Sequence, residues 1–524
     1  MNRLLVIALL IVLGRLQAGA APEPTPALWT AAQESADIHR FSTLFTAQCV
    51  YSYLSSDADI AESIRWCKES GITKVYLEEY RDGYQAERQT LIQARDRFRE
   101  AGFQVSGCVT TTRLGKPSDH WSSHISCYND TGTQEHLQAL FEYAASLFDE
   151  IMIDDFWFSD CTCTNCDASR QTRLVTIGAK TYPVNGDTWP ENRCELMLRL
   201  SEDRVMAAAK RVNPKVKVII KYPQWYEGFQ DRGYDVARET AAFDRIWVGT
   251  EIRDFNDSHW GGVAQYEGYF IMRWLGGIGG EKCGGGWYDW LGTTEATYIE
   301  QARQTVLAGA RESMLFCFGG LHRDTGPADI AALRANMAEL LAVAREVRRR
   351  EALGIAAYKP PNSNPQGDRG VFDFIGMLGL PLAPCHEFPT NAPAAVLSAA
   401  ALADPHLADE LAQFIATRRP LLLTDSLARR LVGRVNLMAT NVQVLSVRSQ
   451  PEALLWLSPE RLNALRAPFL NALHTTFLAP NKVALYLFTQ GGWVVENFND
   501  DPVEVALNGQ TFSVSARGWR CHWE

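Results

Sequence analysis

Apolar and polar residues follow two alternating rhythms along most of the chain. Short apolar runs of strand length recur, and stretches with apolar residues at helical spacing lie between them. "FSTLFTAQCVYSYL" (41–54), "ITKVYLEEY" (72–80) and "FQVSGCVTTT" (103–112) read as the first three strands. The amphipathic helices "DADIAESIRWCKESG" and "ERQTLIQARDRFREAG" separate them. "DEIMIDDFWF", "KVKVIIKYP", "DRIWVGTEIRD", "GGGWYDWLG" and "SMLFCFGG" supply five more, again with helical segments between. Eight strands alternating with helices over roughly 300 residues match a (β/α)8 TIM barrel. A doubly wound open sheet is the alternative, but no Gly-rich nucleotide fingerprint follows the first strand. "GGIGGEKCGGG" (Gly276 to Gly286) has neither dinucleotide nor P-loop spacing, and is expected to be a flexible loop at the active site.

The rhythm changes after residue 350. "FDFIGMLGLPLAP", "AAVLSAAAL", the helix "HLADELAQFIATRRP" and "LLLTDSLARRL" predict a small α/β layer domain over 351–455. The strands "KVALYLF", "GWVVENF", "PVEVALNG" and "TFSVSARGWRCHW" predict a closing antiparallel β domain over 456–524. Asn508-Gly509 carries the signature of a type I′ hairpin turn.

Composition adds the compartment and narrows the partners. Arg3, the apolar run Leu4–Leu13 and Ala18-Gly19-Ala20 read as an export signal over 1–20, followed by a Pro-rich linker over 21–40. A periplasmic or extracellular protein without a membrane span is expected, since no later apolar stretch reaches the ~20 residues a bilayer requires. The net charge of -10 and the absence of a basic block argue against nucleic acid as the main partner. Fifteen Trp and 17 Tyr suit a sugar-binding cleft, although large cores also use aromatics.

In a (β/α)8 barrel, chemistry sits at the C-terminal ends of the strands. Acids stand at four such ends: Glu78-Glu79, Asp154-Asp155, Glu251 (with Arg253 and Asp254 just beyond), and Asp289. Hydrolysis of a glycosidic bond commonly uses two carboxyl groups across a sugar, one ionised and one protonated. The expected pair is Asp155 or Asp154 with Glu251. Strand alternation gives the two adjacent aspartates different roles. Glu78, Glu79, Arg253, Asp254 and Asp289 are candidate hydroxyl binders, and Trp157, Trp225, Tyr226, Trp287 and Trp290 candidate platforms for sugar faces. Each acid could instead cap a turn or helix. A carbohydrate-binding protein on a degenerate barrel is the alternative function. A metal-dependent hydrolase is disfavoured by ten His without an HxH or HExxH motif.

Cys161, Cys163 and Cys166 follow the fourth strand, and Cys127 lies in the loop after the third. The spacing suits one structural zinc ion with Cys127, His124 or His120 as fourth ligand. Disulfides and free thiols are the alternatives in an exported chain.

The cysteine cluster behind strand four, followed by an α/β layer and a small β domain, resembles the trimeric zinc-containing microbial β-galactosidases. The resemblance implies Cys127, Cys161, Cys163 and Cys166 as zinc ligands. It also implies a flavodoxin- or amidotransferase-like middle domain and a homo-oligomer acting on carbohydrate. The likeness to amidotransferases does not extend to activity, because Cys385-His386-Glu387 is contiguous, whereas a triad is assembled in space. Those galactosidases carry Asn-Glu where this chain has Asp154-Asp155, and a strand-seven Glu where it has Asp289. The Asp pair is more similar to the strand-four nucleophile of α-galactosidase-type barrels, with Glu251 in the place of their acid/base.

Overall fold

The computed structural model describes residues 26–323 and 326–524. The stretch 1–20, expected to be an export signal, lies outside them. Eight parallel strands form the first domain: β1 (Arg40–Phe45), β2 (Ile72–Arg81), β3 (Gln104–Val109), β4 (Glu150–Ile153), β5 (Lys217–Tyr222), β6 (Arg245–Gly249), β7 (Cys283–Asp289) and β8 (Glu312–Phe316). Each pairs with its sequence neighbour, and β8 returns to β1, so the barrel is closed.

Period-two alternation then sorts the inward side chains into three layers. The middle layer is one residue from every strand: Leu44, Tyr76, Cys108, Met152, Ile219, Trp247, Trp287 and Met314, all buried. Two residues earlier, at the N-terminal ends, lie Ser42, Lys74, Ser106, Glu150 and Glu312. Two residues later lie Glu78, Thr110, Asp154, Lys221, Asp289 and Phe316. The barrel is therefore a packed apolar plate with a charged layer on each side.

Four expectations need correction. The first strand stops at Phe45, because the Thr46 side chain accepts from the Cys49 amide and caps a helix, Ala47–Tyr53. Part of the linker, Pro26–Ser35, is a helix whose Trp29 ring lies 4.9 Å from Phe103. The glycine tract is not at the mouth. It ends the helix Glu267–Gly279 and opens β7, which places it at the floor. A helix at Thr164–Thr172 and the hairpin Leu174–Ile177/Lys180–Pro183, absent from the sequence reading, carry the chain away from the cysteine cluster.

The middle domain is a parallel sheet of β9 (Ile355–Tyr358), β10 (Leu382–Cys385), β11 (Ala395–Leu397), β12 (Leu421–Thr424) and β13 (Val442–Leu445), in the order β10-β9-β11-β12-β13. That is the flavodoxin-like order; β9 and β13 are the two strands the sequence pattern leaves unassigned. The last domain contains β14 (Val483–Phe488), β15 (Trp493–Asn497), β16 (Val503–Leu507), β17 (Gln510–Val514) and β18 (Trp519–His522), all in antiparallel pairings. Asn508 (φ 49°) and Gly509 (φ 81°) make the expected β16–β17 turn. Gln304 of the barrel donates to Tyr486 (2.7 Å) and Glu496 (2.6 Å), and Trp274 to the Lys359 carbonyl (2.8 Å), joining the barrel to both later domains.

Candidate active site

The C-terminal charged layer opens into a cleft of about 360 Å³. Arg81, Asp154, Asp155, Gln224, Glu251, Arg253 and Asp289 line it, with Trp121, Phe156, Phe158, Trp225, Trp260, Trp287 and Phe316 as its apolar walls. An aromatic cleft with a few convergent charges is the form small-ligand sites take.

Asp154 and Asp155 both line the cleft, because β4 ends at Ile153 and the alternation stops there, but they differ in burial. Asp154 continues the inward row of β4 and is 2 % exposed. It accepts from Arg81 Nη2 at 2.6 Å and from Thr110 Oγ1 at 2.8 Å, and its other oxygen accepts from the Asp155 amide at 2.7 Å. Burial alone would raise its pKa, but Arg81 and Lys221, with these hydrogen bonds, outweigh burial and hold it below the ordinary aspartate value. Asp154 is thus a fixed anion. The Asp155 side chain is 20 % exposed. Its carboxyl is pushed well above the ordinary range by burial; Lys221 opposes this, and the charges of Asp154 and Glu251 add to it.

Lys221, fully buried, joins Asp155 to Glu251. Its Nζ lies 2.5 Å from Asp155 Oδ2 and 2.6 Å from Glu251 Oε1. Those two oxygens are therefore at most 5.1 Å apart. The ammonium also faces the Trp287 ring at 4.7 Å. With the Gln224 amide turned to satisfy both neighbours, its nitrogen donates to Glu251 Oε2 at 2.8 Å and its oxygen accepts from Arg253 Nη1 at 3.0 Å. Arg253 in turn holds Asp289 at 2.7 Å. Burial, opposed by Arg253 and reinforced by Glu251, raises Asp289 to about 6.

Of the other sequence candidates, Trp225 and Trp287 are in the cleft walls. Glu78 is fully buried below the cleft and grips Arg81 at 2.8 and 3.0 Å, so it acts through Arg81 and touches no ligand space. Glu79 faces the opposite side of β2, fully buried, and neither carboxylate oxygen has a partner. Burial, with Glu78 nearby, pushes it well up. Trp157 packs on Tyr128 (5.3 Å) and donates to Ser201 (3.0 Å). Tyr226 reaches Asp373 of the middle domain at 3.4 Å. Asp254 caps its own loop through the Asn256 amide at 2.8 Å. None of these five lines the cleft, nor does Trp290.

Arg81 and Lys221 are the contributions that a scan for acids misses. A charged residue on the inward row of an apolar strand, as in "VIIKY", is the signal that locates Lys221. Outside the barrel mouth, burial, with Glu387 adding, raises the Cys385 thiol of the middle domain to about 12.

The sulfur atoms of Cys127, Cys161, Cys163 and Cys166 all lie within 4.8 Å of one another. Cys127–Cys166, Cys127–Cys163 and Cys163–Cys166 are 3.5, 3.7 and 3.8 Å apart. A disulfide needs about 2.05 Å, whereas a tetrahedral ion with bonds of about 2.3 Å sets sulfurs ~3.8 Å apart. The donor set fits zinc. His120 and His124 stand apart from it, against Thr162 (3.0 Å) and Ser123 (2.8 Å).

An uncharacterized protein of Saccharolobus solfataricus is 28% identical over 341 residues, which cover 62% of this chain and 56% of that protein. The chain thus spans little more than half the length of that relative. Two structures of Gan42B, a GH42 beta-galactosidase, one of them a catalytic mutant from G. stearothermophilus, share the fold. Their TM-scores are 0.59 and 0.58 at 9% identity, covering 93% and 94% of this chain and 98% of each neighbour. The likeness therefore runs through all three domains. Residues 27–334, more than half of the chain, match the family model "Probable glycosyl hydrolase, catalytic domain". The chain belongs to that family of glycosyl hydrolase catalytic domains.

Proposed function

We propose that the protein is an exported glycoside hydrolase acting on oligo- or polysaccharide with Asp155 and Glu251 as its carboxyl pair. The observation that carries this is the Lys221 bridge, which fixes both carboxyls at the base of an aromatic cleft. Asp155, raised by burial and by neighbouring anions, is the proton donor to the departing glycosidic oxygen. Glu251, held by Lys221 and Gln224, is the nucleophile that attacks the anomeric carbon, the reverse of the roles that the α-galactosidase likeness implies. An upper limit of 5.1 Å between these oxygens falls short of the roughly 6.5–9.5 Å of inverting enzymes, which favours the retaining arrangement with its shorter spacing.

Hydrolysis of a panel of aryl glycosides and oligosaccharides, with product anomers followed by NMR, tests the reading. Retention is expected. Sugar binding without turnover of any panel member would favour the carbohydrate-binding alternative.

Zinc held by Cys127, Cys161, Cys163 and Cys166 is proposed as a structural ion that ties the loop after β3 to the loop after β4. Four thiolates close its coordination, so it supplies no catalytic water. Metal analysis should give about one equivalent per chain. Export is proposed from the pattern of residues 1–20 and is tested by fractionation. A homo-oligomer is proposed from the resemblance and from the exposed Val432, Met438 and Val444 on the middle domain; light scattering decides it.

A further inference from the structure

Three cations of the barrel mouth are already engaged. Arg81 is bound to Glu78 and Asp154, Lys221 to Asp155 and Glu251, and Arg253 to Asp289. Arg232 differs. It lines the same cleft and is exposed, and among the described residues no carboxylate lies within ion-pair distance of its guanidinium. It is nevertheless held in place. The guanidinium lies over the Phe158 ring at 4.9 Å and the Trp225 ring at 5.1 Å, two walls of the cleft whose own centroids are 5.7 Å apart.

The backbone beneath it is pinned. The Arg232 carbonyl accepts from the Ser159 amide at 2.9 Å, which ties it to the loop after β4. Gly233 follows at φ 102°, where a Cβ would come within 2.9 Å of the Arg193 carbonyl oxygen. The turn that aims Arg232 at the cleft thus depends on glycine. The guanidinium sits in the corner between two perpendicular rings, and among the described residues no protein group accepts from its N–H groups, which match a planar or tetrahedral oxyanion.

We propose that the substrate carries an anionic substituent, a carboxylate or a sulfate, and that Arg232 binds it at the rim of the cleft. This rests on the glycosidase reading and names its substrate class: acidic saccharides such as uronic-acid or sulfated chains. The rings of Phe158 and Trp225 both orient the guanidinium and exclude water from one side of the contact. The substituent therefore sits on the side of the cleft formed by the loops after β4 and β5, which carry Phe158, Trp225 and Arg232.

The test compares three oligosaccharides of equal length, one neutral, one uronate-containing and one sulfated, on the full chain and on Arg232→Gln. Wild type is expected to favour one anionic substrate over the neutral one by at least tenfold in kcat/KM. Arg232→Gln should lower that anionic-to-neutral ratio by roughly 10–100-fold. Arg232→Lys should restore part of it, because an ammonium keeps the charge but not the fork. The uronate and sulfate arms identify the anion. A ratio equal in wild type and Arg232→Gln, or a wild-type preference for the neutral chain, overturns the inference and leaves the glycosidase reading standing. Calorimetry separates the two: Arg232-dependent binding of an anionic chain with no turnover of any chain would sink the glycosidase reading and support the anionic site. The side chain is exposed, so the variants are expected to fold, and a thermal melt checks this.

Discussion

The barrel holds a buried lysine between two carboxylates at each end. At the floor, Lys74 lies 2.7 Å from Glu150, 3.2 Å from Glu312 and 2.6 Å from the Tyr76 hydroxyl. At the mouth, Lys221 lies 2.5 Å from Asp155 and 2.6 Å from Glu251. The chemistry is the same but the surroundings differ. Floor oxygens find further donors, since Ser106 serves Glu150 at 2.8 Å, Ser42 serves Glu312 at 2.7 Å and Arg245 approaches Glu150 at 3.2 Å. Burial would raise Glu150, but Lys74, Ser106 and Arg245 outweigh it and hold it below the ordinary range. The mouth adds two more acids, Asp154 and Asp289, and there Asp155 rises. A saturated ion cluster stays charged and fills space. A cluster with surplus acid keeps a proton available.

The largest expected effects break this contrast at the mouth. Asp155→Asn and Glu251→Gln should each reduce kcat/KM on an activated glycoside by about 10²–10⁴-fold, with melting temperatures close to wild type. Full activity in either variant would remove that residue from the pair. At the floor, Lys74→Met strands Glu150 and Glu312 and should lower the unfolding free energy by about 3–5 kcal/mol, with kcat per folded molecule retained. Lost activity with unchanged stability would erase the distinction between the two ends.

Chelation or Cys161→Ser should release zinc and destabilise by about 3 kcal/mol at a metal concentration 100-fold above Kd. Equal melts with and without chelator would return the cysteines to free thiols.

The smallest effect is in pH. Asp289, near 3.8 when unfolded and about 6 when folded, contributes stability that is full below pH 4 and lost as pH rises through 6. Wild type should therefore lose about 1–3 kcal/mol relative to Asp289→Asn between pH 4 and 6, read from paired denaturant titrations. A constant difference across that window would show that Arg253 keeps Asp289 ionised throughout.

The eight strands were legible because buried parallel strands leave apolar runs, and Asp155, Glu251 and Asp289 because acids are conspicuous where such runs end. Other parts were hidden for physical reasons. The pleat can be counted along β2, so Glu78 inward and Glu79 outward follow from it. Beyond Ile153 and Gly249 it breaks, and Trp157 and Asp254 turned away from the cleft. The helix Ala47–Tyr53 resembled strand because Val50, Tyr51 and Tyr53 suit either state, and the cap at Thr46 decided it. Lys221 and Arg232 were passed over because their meaning depends on partners that are distant in sequence.

The glycines that open β7 have a further consequence. A Cβ on Gly284 would meet the Trp247 ring at 2.3 Å, and one on Gly285 its Nε1 at 2.5 Å. Trp247 fills the middle of the barrel only because that edge of β7 is bare. In a saturation-mutagenesis map, Gly284, Gly285 and Gly286 would stand out as constrained, whereas Gly276, with open space around it, would not. Alanine, harmless at most surface sites, would at Gly284 or Gly285 dislodge one of the eight side chains that separate the floor cluster from the mouth cluster.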